Sequence, residues 1–171
     1  MADSRFDKKW VVAAGAALVG LIVLGVTMFR PSEEDRVREV LTRFTKAVTV
    51  KSDDTPLSRL GRIRSEFKEI VSDDVGIDLA ELDVRVRGRA KVVEAATAAG
   101  LQFQSADCEL VNMTIKIDER STTAKVDAVA AVTAIRGGER KVDKRDVHFL
   151  LFKDGTWRIT TVDVAAPSPS S

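Results

Sequence analysis

The chain is poor in the side chains that most often build catalytic and metal centres: its 171 residues include one Cys, one His and no Tyr. A single thiol, Cys108, cannot form an intrachain disulfide, so an apolar core must hold the fold. Cys108 itself is expected to be a small buried side chain on a strand. Because one Cys and one His do not supply the usual ligands of a zinc site, the sequence predicts no metal and no cofactor.

An excess of one charge is also missing, since 27 Lys and Arg face 26 Asp and Glu. Residues 1–9 hold three basic and two acidic side chains, so 24 of each sign remain in the rest of the chain. Non-specific nucleic-acid binding depends on surplus Lys and Arg, and single strands also need aromatic side chains for stacking, which make up only 5% of this chain. No nucleic acid is therefore expected as a partner.

What the chain does have is one long apolar run. Residues 10–29 carry no charge and follow the basic head formed by residues 1–9. As a helix this run is about 30 Å long, which matches the hydrocarbon core of a bilayer. It ends in Thr27, Met28 and Phe29, where a signal peptidase needs small residues. A retained transmembrane helix is therefore favoured over a cleaved signal peptide or a buried core helix.

The anchor also predicts a location. Lys and Arg nearly balance on the two sides of the run, with three before it and four soon after it. Long domains cross a membrane largely regardless of charge, so we expect residues 1–9 in the cytoplasm and the C-terminal domain outside, with the reverse orientation left open. The expected protein is a single-pass signal anchor in the inner (cytoplasmic) membrane of a prokaryotic envelope.

Residues 30–164 are predicted to form one domain, and residues 165–171, rich in Pro and Ser, a disordered tail. Two helices are indicated by apolar residues spaced three and four apart. The first set is Val37, Val40, Leu41, Phe44, Ala47 and Val48, and the second is Leu57, Leu60, Ile63, Phe67, Ile70 and Val71. Asp53 and Asp54 between the two sets are interpreted as turn residues rather than metal ligands.

Short strands are predicted over residues 75–79 and 84–87, followed by a third helix that Gly88 introduces and Gly100 ends in a left-handed conformation. Beyond Gly100 the period changes to two, which is typical of strands. Val111, Met113, Ile115 and Ile117 alternate with polar residues. Turn residues at 118–121, 137–138 and 153–155 then divide the remainder into four long strands joined by hairpins.

The strand over residues 124–135 is apolar or small on both faces from Ala128 to Ile135. A strand of this kind is usually covered twice. The helices cover one face of the sheet, so a second copy of the sheet is a candidate for covering the other. A homodimer through the sheet is therefore expected, with tolerated exposure of small Ala side chains as the alternative.

The order of these elements resembles the nuclear transport factor 2-like superfamily, also called SnoaL-like, ketosteroid-isomerase-like or cystatin-like, over residues 33–164. The resemblance is carried by the opening helix (Val37-x3-Leu41-x2-Phe44-x2-Ala47, then Ser52-Asp53-Asp54), by Gly88, and by the ending Gly155-Thr156-Trp157-Arg158-Ile159-Thr160-Thr161-Val162. It implies an α+β cone of three helices on a curved antiparallel sheet (α-α-β-β-α-β-β-β-β), with Trp157 and Ile159 anchored in the core.

Enzymes of that superfamily place a carboxylate or His deep in the cone, often with a Tyr, so the missing Tyr argues against isomerase-type catalysis and no catalytic residue is assigned. The polar residues expected in a cone cavity are Asp127, Asp146 and His148. Asp146 and His148 share a strand face at i and i+2, about 7 Å apart, which is too far for a direct hydrogen bond. A satisfied, partly buried histidine is the plain alternative.

A basic contact patch is predicted at Arg85, Arg87, Arg89 and Lys91, with Arg59, Arg62 and Arg64 as possible additions. If the patch is functional, it is expected to contact anionic lipid headgroups or an acidic partner. Acids lie nearby in the sequence at Asp78, Glu81 and Asp83, so a solvated face of mixed charge is the alternative.

The favoured function is a non-enzymatic binding or assembly domain of an envelope complex, with the bilayer and a protein of unknown identity as partners. The resemblance includes membrane-anchored members, among them inner-membrane scaffold components of type IV secretion machines and Mce-associated proteins. Two alternatives stay open: a small-molecule-binding or lyase/isomerase-type domain that uses the cone, and a structural spacer.

Overall fold

The structure is a computed structural model that describes residues 31–167. Three helices and six strands follow in the predicted order, with a single 3-10 turn (Ala80–Leu82) between the first two strands. The helices are α1 (Glu33–Val48), α2 (Pro56–Ile70) and α3 (Arg89–Gly100). The strands are β1 (Val71–Leu79), β2 (Val84–Arg87), β3 (Ser105–Ile117), β4 (Thr123–Arg136), β5 (Glu139–Asp154) and β6 (Thr156–Ala165).

The predicted span over residues 10–29 and the predicted head over residues 1–9 lie outside the described residues. The last four residues of the predicted tail do so as well. Within residues 31–167, no helix combines the length and the apolar character that crossing a bilayer requires.

The six strands form one curved sheet in the order β2-β1-β6-β5-β4-β3. Strands β3 to β6 are a meander of antiparallel hairpins, and β1 joins it by running parallel to β6. The last strand of the chain therefore lies inside the sheet, between the β1–β2 hairpin and the meander. The two edges of the sheet are the four-residue β2 and the thirteen-residue β3.

The three helices pack on one face of the sheet and form a single core with it. Phe67 of α2 is fully buried and stacks on Phe44 of α1 at 5.3 Å between ring centroids, and Phe149 of β5 meets Phe44 edge-on at 6.0 Å. Trp157 (3% exposed) and Ile159 (0%) belong to the same core. Each large apolar side chain buried in this way stabilises the fold by about 1.5–3 kcal/mol.

Polar contacts hold the helices in place. Thr55 and Ser58 form a reciprocal capping box at the start of α2, where Pro56 supplies a fixed backbone angle. Glu33, the first residue of α1, accepts hydrogen bonds from Lys153 Nζ and Trp157 Nε1, both at 2.8 Å. These two donors lower the pKa of the Glu33 carboxyl. The start of α1 is therefore attached to the β5–β6 hairpin.

The predicted left-handed stop at Gly100 is wrong. Gly100 is the last residue of α3, and the residue that follows it, Leu101, is right-handed with φ −69°. Glycine is required there for space, because a Cβ would lie 2.9 Å from Arg59 Nη1 and 3.2 Å from Arg59 Cδ.

The predicted alternation along β3 holds on one side of Asn112 only. Asn112 has φ 54°, and the register with β4 shifts between Val111 and Thr114. This is a β-bulge, which places one extra residue in β3. As a result Met113 and Ile115 pack on the core, while Val111 lies opposite Val129 on the other face. A one-residue insertion of this kind reverses the facing of every residue beyond it.

Candidate functional site

The sheet face that points away from the helices carries a carboxylate–histidine pair. Asp127 on β4 lies directly opposite His148 on β5, and His148 Nδ1 is 2.6 Å from Asp127 Oδ1. The neighbours of Asp127 along β4, Val126 and Ala128, are buried against the helices, so Asp127 must point outward. The side chains of His148 and Asp127 are 55% and 53% exposed.

This pairing differs from the one expected from the sequence. The partner of His148 is Asp127, because cross-strand neighbours are close whereas i and i+2 neighbours are not. Asp146 lies opposite Val129 in the next row of the same outward face. All three residues predicted for the cone therefore lie on the outward face, and not in the interior between helices and sheet.

A polar row crosses the sheet through this pair. Asp163 of β6 lies opposite His148, Asp78 of β1 lies beside Asp163, and Arg85 of β2 lies opposite Asp78. Arg85 Nε is 2.7 Å from Asp78 Oδ2. A surface depression of about 440 Å³ on this face is lined in part by Asp78, Arg85 and Asp163. Besides His148, the row contains three acids, Asp127, Asp163 and Asp78, and one base, Arg85.

The row offers polar groups, and the depression beside it is open to solvent. Ion pairs exposed to water contribute about 0–1 kcal/mol, and a general base needs a substrate held within hydrogen-bond reach. Within residues 31–167, no three His, Cys, Asp or Glu side chains are arranged to hold a metal ion. The pair is therefore accessible to solvent and does not line a cavity between the helices and the sheet.

The four residues of the predicted basic patch are separated by the fold. Arg85 pairs with Asp78, and Arg89 pairs with Asp73 and also donates to the carbonyl of Val71 at 3.2 Å. The other two, Arg87 and Lys91, are exposed and line a groove of about 660 Å³ between β2 and α3, together with Arg85.

Arg89 instead belongs to a second cavity, of about 400 Å³, lined by Arg64 and Lys68 of α2 and by Asp73. Three bases and one acid meet in this cavity. Arg59, Arg62 and Arg64 are the predicted additions to the basic patch. Of these three, Arg64 alone lines this cavity.

Arg62, the second of these arginines, joins α2 to the turn after α1. Its guanidinium forms two hydrogen bonds with the Asp54 carboxylate, at 2.8 and 2.6 Å, and a third with the carbonyl of Thr49 at 2.6 Å. The Arg62 hydrogen bonds lower the pKa of Asp54 from 3.8 to about 2. The interpretation of Asp54 as a turn residue was incomplete, because sequence periodicity carries no information on this long-range pairing.

Arg59, the third, is only 5% exposed, and its Nε has no hydrogen-bond partner among the described residues. It packs against Gly100 at the carboxyl end of α3, where the helix dipole favours a cation. Its predicted place in a solvent-exposed patch is therefore wrong.

Cys108 lies half-buried on β3, as expected for a structural thiol. Burial raises its pKa to about 11. The thiolate is the nucleophilic form, so this shift lowers the reactivity of the cysteine at neutral pH. It lines a cavity of about 350 Å³ between α1 and β3.

The fold is that of nuclear transport factor 2-like, or cystatin-like, proteins. A nuclear transport factor 2-like superfamily protein from Salmonella enterica is 16% identical, with a TM-score of 0.64 over 81% of this chain and 94% of the other. A protein with a cystatin-like fold from Caulobacter vibrioides is 17% identical, with a TM-score of 0.61 over 80% and 90%.

A candidate scytalone dehydratase from Novosphingobium aromaticivorans is 14% identical, with a TM-score of 0.62 over 80% of this chain and 85% of the other. No family model and no curated protein matches the chain. At these identities the likeness extends to the fold alone, and one fold of this kind hosts many functions.

Proposed function

We propose that the chain is a membrane-anchored, non-enzymatic binding or assembly domain of a prokaryotic envelope complex. It crosses the inner membrane once through residues 10–29, with the nuclear transport factor 2-like domain on the extracytoplasmic side. Residues 10–29 support the anchor because their length and lack of charge suit a bilayer core.

One observation carries the non-enzymatic part of the proposal. The rings of Phe44, Phe67, Phe149 and Trp157 pack in the apolar core between the helices and the sheet. The polar groups Asp127 and His148 are at the surface. Because the candidate polar residues lie outside the apolar core, they support a domain that interacts through its surface.

Cell fractionation tests the anchor. The full chain is expected in the membrane pellet after salt and carbonate washes and in the supernatant only after detergent. Full-length chain recovered in the supernatant of washed, detergent-free membranes contradicts the anchor. For orientation, alkaline phosphatase fused after Ser171 is expected to be active and green fluorescent protein fused there to be dark.

The small-molecule or lyase/isomerase alternative is favoured by one finding, the shared fold with a candidate scytalone dehydratase. If a lyase or isomerase used the exposed Asp127–His148 pair, His148→Ala and Asp127→Asn would each abolish its activity while the fold stays intact. Under the proposed function, both variants complement a deletion strain as well as the wild type does. The spacer alternative predicts that any folded domain of similar size complements.

The homodimer through the outward sheet face stays a prediction. On that face Phe152 is 50% exposed and Val142 is 60% exposed, opposite Thr123 and Thr133 of β4. Sedimentation equilibrium of the detergent-solubilised chain is expected to give a dimer that Phe152→Asp dissociates. A monomer for the wild-type chain over the micromolar range contradicts this expectation.

A further inference from the structure

The free edge of β2 presents unpaired backbone groups to solvent. Gly88 N–H donates to the carbonyl of Val75 at 2.8 Å, which identifies a hydrogen-bonded pair in the β1–β2 ladder. Such pairs alternate in antiparallel strands, so Val86 also faces β1 and the amides and carbonyls of Arg85 and Arg87 face away from it. Within the described chain, β2 pairs with β1 alone.

A groove runs along this edge. Three consecutive residues of β2 form one wall, and Lys91, Ala95 and Ala98 form the other wall at positions i, i+4 and i+7 of α3. The two alanines are exposed and small, so the groove of about 660 Å³ is open beside the strand. An added strand lies about 4.8 Å from its neighbour, and this space can accept one.

The charge of the groove is positive. Among the described residues, neither Arg87 nor Lys91 has a carboxylate partner, whereas the neighbouring Arg85 is neutralised by Asp78. Glu94 is the one acid in the groove wall. An occupant with negative side chains therefore complements this surface.

The opposite edge of the sheet is protected. The bulge at Asn112 interrupts β3, and the start of β3 is bridged by Val50, whose amide donates to the carbonyl of Ala106 at 2.7 Å. Bulges and covering segments are common means of blocking an edge strand. The short β2 edge has neither feature, so it is the edge open to addition.

We propose that the β2–α3 groove binds an extended acidic segment of a partner protein, which adds to β2 as a further strand. Backbone hydrogen bonds between the segment and Arg85 and Arg87 supply affinity. Contacts of the segment's acidic side chains with Arg87 and Lys91 supply selectivity. A lipid headgroup matches the charge but cannot satisfy alternating donors and acceptors along a strand. This inference deepens the proposed binding role and rests on it.

The probe is a synthetic peptide of about eight residues with pairs of Glu alternating with pairs of Val, so that both faces of the added strand carry Glu, beside a matched peptide with Lys in place of Glu. The protein is the full chain in detergent micelles. Binding of the Glu peptide is expected to slow amide hydrogen exchange at Arg85 and Arg87 by roughly tenfold or more. The Lys peptide is expected to leave both amides unchanged.

Two variant pairs separate charge from backbone pairing. R87E/K91E is expected to weaken peptide binding about tenfold or more, while R140E/K141E, an equal charge reversal on the β4–β5 hairpin, leaves it unchanged. Arg87→Pro removes a free-edge amide that Arg87→Gln retains, so binding is expected to be weaker in the proline variant. Circular dichroism checks that each variant is folded.

Equal binding by R87E/K91E and the wild type overturns the proposal, as does exchange at Arg85 and Arg87 that the Glu peptide does not slow. Glycerophosphoglycerol tests the lipid alternative, and a response to this headgroup without a response to the peptide also overturns it. Fractionation is independent of these measurements. If the chain binds the peptide but is not found in the membrane fraction, the groove proposal is supported and the anchor proposal is contradicted.

Discussion

The two faces of the sheet use alternate residues of the same strands for opposite purposes. On β4, Val126 and Ala128 lie against the helices while Asp127, between them, meets water and His148. The inward face is continuous with α1 and α2 and holds the stacked rings of Phe44 and Phe67. This difference shows that the residues that stabilise the fold lie between the helices and the sheet, whereas the polar groups able to contact a partner lie on the solvent-exposed surface.

The largest effect that tests this contrast is expected inside. Phe67→Ala removes a fully buried ring that stacks on Phe44, so the free energy of unfolding should fall by about 3–5 kcal/mol. Urea unfolding of the full chain, followed by tryptophan fluorescence, measures this loss. Phe152→Ala is the matched control on the outward face, and an equal loss in the two variants contradicts the contrast between faces.

A smaller effect is expected at Asp54, which is mostly buried but polar. Asp54→Asn should lower the free energy of unfolding by about 2 kcal/mol at neutral pH, because Arg62 loses a charged acceptor. The folded pKa is depressed to about 2, so this stability is present above pH 3.8 and is lost as pH falls toward 2. Unfolding curves of both proteins across that range should converge; a constant gap contradicts the assignment.

Two helical glycines are expected to respond in opposite directions. Gly100→Ala places a Cβ 2.9 Å from Arg59 Nη1, and Arg59 is too buried to move freely, so a loss of about 1–2 kcal/mol is expected. Gly61→Ala meets open space within α2 and should stabilise by about 0.5–1 kcal/mol. In a double-mutant cycle, Arg59→Ala should relieve the cost at Gly100.

The smallest effect is expected at the exposed pair. Asp127→Asn should change the free energy of unfolding by no more than about 0.5 kcal/mol, because both side chains are more than half exposed. Thermal unfolding at low and high salt measures it. A loss above about 2 kcal/mol would show that the outward face also carries stability.

The order of elements could be predicted because each has a local signal. The helices are predicted by apolar spacing, and the hairpins by turn residues such as Gly137 and Gly138. The bulge at Asn112 could not be predicted, since Asn is an ordinary polar residue in an alternating strand. Arg59 was missed because a charged residue on a helix gives no sign of being buried.

The Asp127–His148 pair could have been found from the sequence. The two-residue turn at Gly137 and Gly138 sets Arg136 opposite Glu139, and counting back along both strands brings Asp127 opposite His148. The separation of the basic patch could not be predicted from the sequence. Arg85 and Arg89 form ion pairs with Asp78 and Asp73 of β1, and these pairs depend on the fold.

The position of β6 governs when the domain can form during synthesis. The ribosome makes β1 early and β6 last, yet β1 has no route into the sheet except through β6. Until the codons up to Ala165 have been translated, the β1–β2 hairpin has no strand through which to join the meander. A nonsense mutation before Thr156 therefore removes the connecting strand and leaves β1 without its partner in the sheet, so truncated products should be more susceptible to proteases.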